Sequence, residues 1–257
     1  MQQFRPQSFN ILPPVIKNLL IVNVVMLIIT MILGRQGEEF TNFLGLHYIK
    51  SDYFKPLQFF THMFMHGGIM HLFSNMFALW MFGSMLENFW GPKRFLFFYI
   101  VSGLGAAVIH SAVVYLKMQS YQNEIASIIS ADSFDQAQAF VLKHRMYAED
   151  CVGDWKEQLR CAVEAHGDIP TVGASGAVFG VLAAFGYLFP NTILQIIFLP
   201  IRFKAKYFVM MYAAFEIWAV IQDNPGDNVA HFAHLGGGLV GFLLVLYWNK
   251  TRRKDFF

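Results

Sequence analysis

Six apolar stretches, at roughly 15–34, 69–90, 95–116, 174–190, 205–221 and 229–248, dominate this chain. Each approaches the ~20 residues a helix needs to cross hydrocarbon, where a helix satisfies its own backbone hydrogen bonds without water. Of the 257 residues 56% are hydrophobic and only 14% charged, whereas a soluble domain carries about 25% charged. The chain therefore reads as an all-α, multi-pass integral membrane protein with the lipid bilayer as partner and no nucleic-acid partner. The first apolar run, Val15–Leu33, is too long for the core of a cleaved signal peptide and lacks a small-x-small exit, so it counts as a span.

An even number of spans puts both termini on one side, and the basic residues choose it. Arg5 and Lys17, Lys93 and Arg94, Arg202, Lys204 and Lys206, and Lys250, Arg252, Arg253 and Lys254 all fall together. Glu38, Glu39, Asp52, Asp223 and Asp227 fall opposite. By the positive-inside rule both ends are cytoplasmic, and the expected site is a bacterial inner membrane. The polar segment at about 118–170 then forms an extracytoplasmic insert in a single domain, 1–257. Cys151 and Cys161 lie there, where disulfides persist, so one bridge or two free thiols remain open. Residues Ser130–Val141 fit an amphipathic helix lying on the bilayer. The stretch Phe54–Gly68, broken by Pro56 and Gly67-Gly68, reads as a re-entrant or interfacial loop on the outer face. His62 and His66 have metal-ligand spacing but no carboxylate or thiolate at ligand spacing, which favours hydrogen bonds to backbone or headgroups; no metal and no cofactor is expected.

The chemistry lies in polar residues that share one depth. The second, fourth and sixth spans run from outside to inside, so early residues lie towards the outer face. At about 1.5 Å per residue, Ser175 lies roughly 22 Å above Pro190, His234 roughly 21 Å above Trp248 and Asn75 roughly 22 Å above Trp90. His71 stands one turn higher on the face of Asn75. Ionisable groups within a membrane are costly and usually functional. Ser175, at a helix mouth with unpaired N–H groups, suits a nucleophile. His234 suits its general base, and His71 and Asn75 suit oxyanion donors. Gly176, Gly180 and Ala184 on one helix and Gly237 and Gly241 on another read by themselves as packing faces; such packing also brings His234 to Ser175. Glu87 lies about three turns below Asn75 and Glu216 falls on the fifth span. A dyad without a carboxylate is therefore expected.

Gly173-Ala-Ser-Gly176, His71-x-x-x-Asn75 and Ala233-His-Leu-Gly-Gly237-x-x-x-Gly241 resemble the three signature elements of the rhomboid family of intramembrane serine proteases. The resemblance covers roughly 15–117 and 171–249. It implies a six-transmembrane-helix bundle of rhomboid type with an outer re-entrant L1 loop, and hydrolysis of a peptide bond in or near the transmembrane segment of a protein substrate. It further implies Ser175 and His234 as the dyad, His71 and Asn75 at the oxyanion, and substrate contacts at Gly173, Phe179 and His231. His62 and His66 match supporting loop positions. The chain departs from the family where Leu57-Gln58 replaces a frequent Trp-Arg pair and Phe179 a common tyrosine. The fifth span and the loop Gln222–Asn228, with its Pro225-Gly226 turn, read as the substrate gate. A catalytically silent, membrane-embedded binding protein of the same fold is the alternative, although such relatives lose the serine or histidine. A cation path through the histidines lacks paired acidic ligands, and a metalloprotease lacks His-Glu-x-x-His.

Overall fold

The computed structural model describes residues 9–146, 151–195, 202–222 and 230–252. Helix α1 (Pro14–Leu33) opens on a proline, which suits a first helical turn because it has no N–H to leave unpaired. The next two N–H groups are taken by another helix: Val15 N and Ile16 N donate to Glu87 Oε1 and Oε2, each at 2.9 Å. Glu87 is buried, and its charge is matched by the positive end of the α1 dipole.

Glu87 belongs to a continuous helical rod, Ile69–Trp90, made of α4 (Ile69–Ala78), a π-helical turn (Leu79–Gly83) and α5 (Ser84–Trp90). Helix α6 (Pro92–Ser130) has 39 residues, about 58 Å and so nearly twice a ~30 Å hydrocarbon core. Three further helices complete the bundle: α9 (Ser175–Leu188), α10 (Ala205–Gln222) and α11 (His231–Arg252). The antiparallel strands β1 (Ile193–Gln195) and β2 (Arg202–Lys204) lie between α9 and α10. A helix thus occupies each of the six apolar stretches. Four, Pro14–Leu33, Ile69–Trp90, Pro92–Ser130 and His231–Thr251, are long and apolar enough to cross a membrane, and Ser175–Leu188 is a shorter apolar helix.

Contacts sort the helix ends. Trp90 packs edge-on against Trp248 at 5.4 Å, and the Arg94 guanidinium lies 4.0 Å from the Trp248 ring centroid. With the Glu87 cap, these gather the start of α1, the end of α5, the start of α6 and the end of α11. Of the charges used for topology, Arg5, Asp223, Asp227, Arg253 and Lys254 lie outside the described residues.

At the other end, α2 (Arg35–Leu44) and α3 (Gln58–Thr61) lead into a 3-10 turn, His62–Phe64. Gln58, fully buried, ties this segment together: Nε2 donates to the Tyr53 carbonyl at 2.9 Å and Oε1 accepts from Lys55 N at 3.1 Å. One amide therefore organises the loop.

The insert is helical and packs on itself. The far half of α6, α7 (Phe134–His144) and α8 (Trp155–Gly167) enclose a second apolar cluster that includes Tyr121, Ile125, Ile128, Phe140, Leu159 and Val163. Helix α7 turns Ala137 and Phe140 into this cluster, which corrects the expectation of a helix whose apolar face rests on lipid. Asp154 caps α8 by accepting from Lys156 N and Glu157 N, each at 2.9 Å. Cys151 and Cys161 form a disulfide across its start, with Cα atoms 5.9 Å apart.

Replacing Glu87 with alanine orphans the two α1 donors at a cost of about 1–3 kcal/mol for each buried N–H. Thermal unfolding in detergent should show a clear drop in midpoint for Glu87→Ala and a smaller one for Glu87→Gln, whose amide oxygen can still accept.

Candidate active site

The site begins with two helices whose backbones touch. A Cβ at Gly237 would collide with the Gly176 carbonyl, and one at Gly241 would stand 2.6 Å from Gly180 Cα. On its other flank α9 meets α6, where a Cβ at Gly180 would lie 2.6 Å from Ser102 Cβ. Helix α9 starts at Ser175 and α11 at His231, so the close approach sets the first turns of both side by side. His234 Nε2 and Ser175 Oγ are 2.8 Å apart. Phe179, one turn below the serine, stacks on the His234 ring with centroids 4.3 Å apart and planes 9° from parallel; its ring also stacks on Tyr212 of α10 at 5.0 Å. The imidazole is therefore held by a ring face as well as by its nitrogens.

The pair does not stand alone, which corrects the expectation that no carboxylate reaches it. Glu216 of α10 is 2% exposed. Its Oε2 accepts from His231 Nδ1 at 2.6 Å, and its Oε1 lies 3.1 Å from His234 Nδ1. The second contact is within ion-pair range but off the direction of an aligned ring N–H bond. A carboxylate there favours the tautomer with the proton on Nδ1, leaving Nε2 to accept from Ser175 Oγ–H. Glu216, His231 and His234 are also the one group among the described residues that can set three ligand atoms within 4.8 Å of one another for a metal ion.

His71 and Asn75 face the same space from α4. His71 Nδ1 accepts from Gly67 N at 3.4 Å, which leaves Nε2 to carry the proton. Asn75 Nδ2 gives one N–H to the His71 carbonyl at 3.0 Å and keeps the second. Gly173 has φ +132°, a region side chains avoid, and a Cβ there would lie 2.9 Å from His71 Nε2 and 3.5 Å from Ser175 Oγ. The approach to the serine is sutured to the outer segment: Gly173 N donates to the His62 carbonyl at 2.9 Å, and Thr171 exchanges backbone bonds with Leu46 at 2.8 and 2.9 Å.

A cavity of about 1080 Å³ opens above these groups. Ser175, His234, His71, Asn75, Phe179, Glu216 and His231 line it, and so do Met118, Tyr121 and His166 at the root of the insert. Of the residues matched to substrate contact, Phe179 and His231 thus border the cavity, although His231 spends Nδ1 on Glu216; Gly173 packs against His71. His110 of α6 also lines the cavity and its Nε2 lies 2.9 Å from Thr171 Oγ1, a polar residue the sequence reading passed over. In the gate segment, residues 223–229 lie outside the described residues.

His62 and His66 are buried next to the site without joining it. His62 Nδ1 is 2.9 Å from the Gln58 carbonyl, and the His66 ring packs edge-on against His71 at 5.1 Å. Burial pushes the His62 imidazole down from 6.5 to about 4, only partly opposed by the backbone carbonyls of Gln58 and Phe59.

Fold and site define an integral membrane protein that sets a half-buried serine hydroxyl against an imidazole at the head of an apolar helix. Residues 53–131 and 140–250 match the rhomboid domain, and the chain belongs to the rhomboid family. It is 26% identical over 192 residues to Rhomboid protein 1, mitochondrial, of Saccharomyces cerevisiae, covering 75% of this chain and 42% of that one. It is 29% identical over 193 residues to the human Presenilin-associated rhomboid-like protein, mitochondrial, covering 75% and 38%. With RHOMBOID-like protein 12, mitochondrial, of Arabidopsis thaliana it shares 26% identity over 197 residues, covering 76% and 46%. The chain thus spans less than half the length of these relatives. All three are named as mitochondrial, in contrast to the bacterial inner membrane expected from the sequence.

Two outcomes follow. Gly237→Val forces α9 and α11 apart, so it should lower the thermal midpoint and abolish reaction at Ser175 together. His62, neutral when folded, takes up a proton more readily once unfolded, so its contribution to stability is full above about pH 6.5 and is lost as pH falls towards about 4. His62→Gln, whose amide can still donate to the Gln58 carbonyl, should show a flatter midpoint–pH curve over that window.

Proposed function

We propose that this chain is an intramembrane serine endopeptidase that hydrolyses a peptide bond in or near the transmembrane segment of another membrane protein. The observation that carries the reading is the 2.8 Å contact between Ser175 Oγ and His234 Nε2, made at a helix N-terminus inside an apolar bundle. Ser175 Oγ attacks the substrate carbonyl carbon while its proton passes to Nε2. The carbonyl oxygen, now negative, faces Ser175 N–H, the free N–H of Asn75 and His71 Nε2–H. Collapse breaks the C–N bond, and Nε2 returns the proton to the leaving amine. A water molecule then attacks the acyl carbon, gives a proton to Nε2 and breaks the C–Oγ bond; the proton returns to Oγ and the new carboxylate leaves.

In this reading all six helices span the bilayer, both termini face the side that holds the basic residues, and the segment Phe54–Gly68 is the outer L1 loop. The protein is one domain whose insert forms part of the wall above the serine and contributes to substrate choice. The cavity and the acyl-transfer groups coincide, which favours an enzyme over a silent binding protein.

The test is turnover of a reporter transmembrane substrate in liposomes, with fluorophosphonate labelling read in parallel. Ser175→Ala and His234→Ala should each abolish cleavage in folded protein, and labelling should vanish with Ser175. Near-normal turnover in either variant would refute the roles. A chelator should leave turnover unchanged; its loss would favour a metal held by Glu216, His231 and His234.

A further inference from the structure

Helix α10 turns Phe208 and Tyr212 onto Phe82 and Phe179, but along its length only Ala205, Glu216 and Ala219 are buried. A carboxylate enclosed on a largely apolar helix is costly unless it is paired. Its polar contacts among the described residues are both imidazoles, His231 Nδ1 at 2.6 Å and His234 Nδ1 at 3.1 Å. The first bond fixes the carboxylate plane through Oε2; the plane so fixed turns Oε1 to the ring nitrogen opposite the one that meets Ser175. We infer that Glu216 is a positioning residue of the reaction, completing a Ser175–His234–Glu216 relay whose third member comes from a different helix.

The inference rests on the serine-protease reading above and extends it. When Nε2 accepts the serine proton, a positive charge forms on a ring whose other nitrogen lies 3.1 Å from Oε1. A fixed negative charge stabilises that charge more than it stabilises the neutral ring, so it acts on the barrier. No proton needs to move to Glu216. A modest turn of either group would align Nδ1–H with Oε1, a tightening expected as the charge develops.

The full-length protein in liposomes tests this through two reactions: labelling of Ser175 by a small fluorophosphonate and cleavage of a reporter transmembrane substrate. In Glu216→Gln, labelling rate and kcat should fall together by about 100-fold, short of the ~10⁴ lost when the aspartate of a soluble triad becomes asparagine. KM should stay within about twofold, because the residue acts through His234 and not on substrate. Glu216→Asp should recover at least about tenfold of the lost labelling rate, as the charge is restored. Should Glu216→Ala fail to fold, the isosteric Gln variant still decides. Folded Glu216→Gln protein with labelling and kcat near wild type would overturn the proposal. So would a fall in cleavage with unchanged labelling, which marks a residue that only holds α10. A wild-type protein that neither labels nor cleaves would sink the protease reading itself, and this inference with it.

Discussion

Everything at the site depends on bare backbone meeting bare backbone between α9 and α11. In lipid there is little hydrophobic gain from joining helices, so close packing of small residues has to supply the attraction. Gly237 over the Gly176 carbonyl and Gly241 over Gly180 supply it here. The same contact sets the two first turns level, and the imidazole needs no long reach to the serine. Phe179 adds a second restraint by filling the space beneath the ring with a parallel face. A larger residue at either glycine would change the Ser175–His234 hydrogen bond without touching either side chain, because that distance is a property of the helix pair.

Two buried carboxylates show how the bundle handles charge. Glu87 answers the unpaired amides that open α1, a neutralisation by dipole that needs no counter-ion. Glu216 answers two ring nitrogens on α11. The first arrangement is complete as it stands and serves packing. The second leaves one oxygen imperfectly aligned beside the imidazole that meets the serine.

Much of this was legible in the chain. Ser175, His234 and Asn75 fall at one depth because each is counted from the inner end of a span that runs the same way, and the glycines next to them have helical spacing. Glu216 escaped because its span runs in the opposite sense. Counted from Ala205 it stands about 16 Å up, roughly one turn from the level of the serine, so the same arithmetic would have found it. His110 escaped likewise on the third span. Helix α2 and the internal packing of the insert were not legible: polar helices in a short connection show where they are amphipathic, but not whether lipid or protein covers the apolar side.

Helix α6 joins two places that the sequence keeps apart. Its first half carries Ser102 and Ala106 against α9, and its second half carries Tyr121, Ile125 and Ile128 into the cluster of the insert. No break separates them across its 39 residues, so the rod fixes the rotational phase of the cap relative to the serine. One residue inserted between those halves would swing the cap by about 100° and lift it by about 1.5 Å. The spacing along that rod is therefore constrained to the single residue.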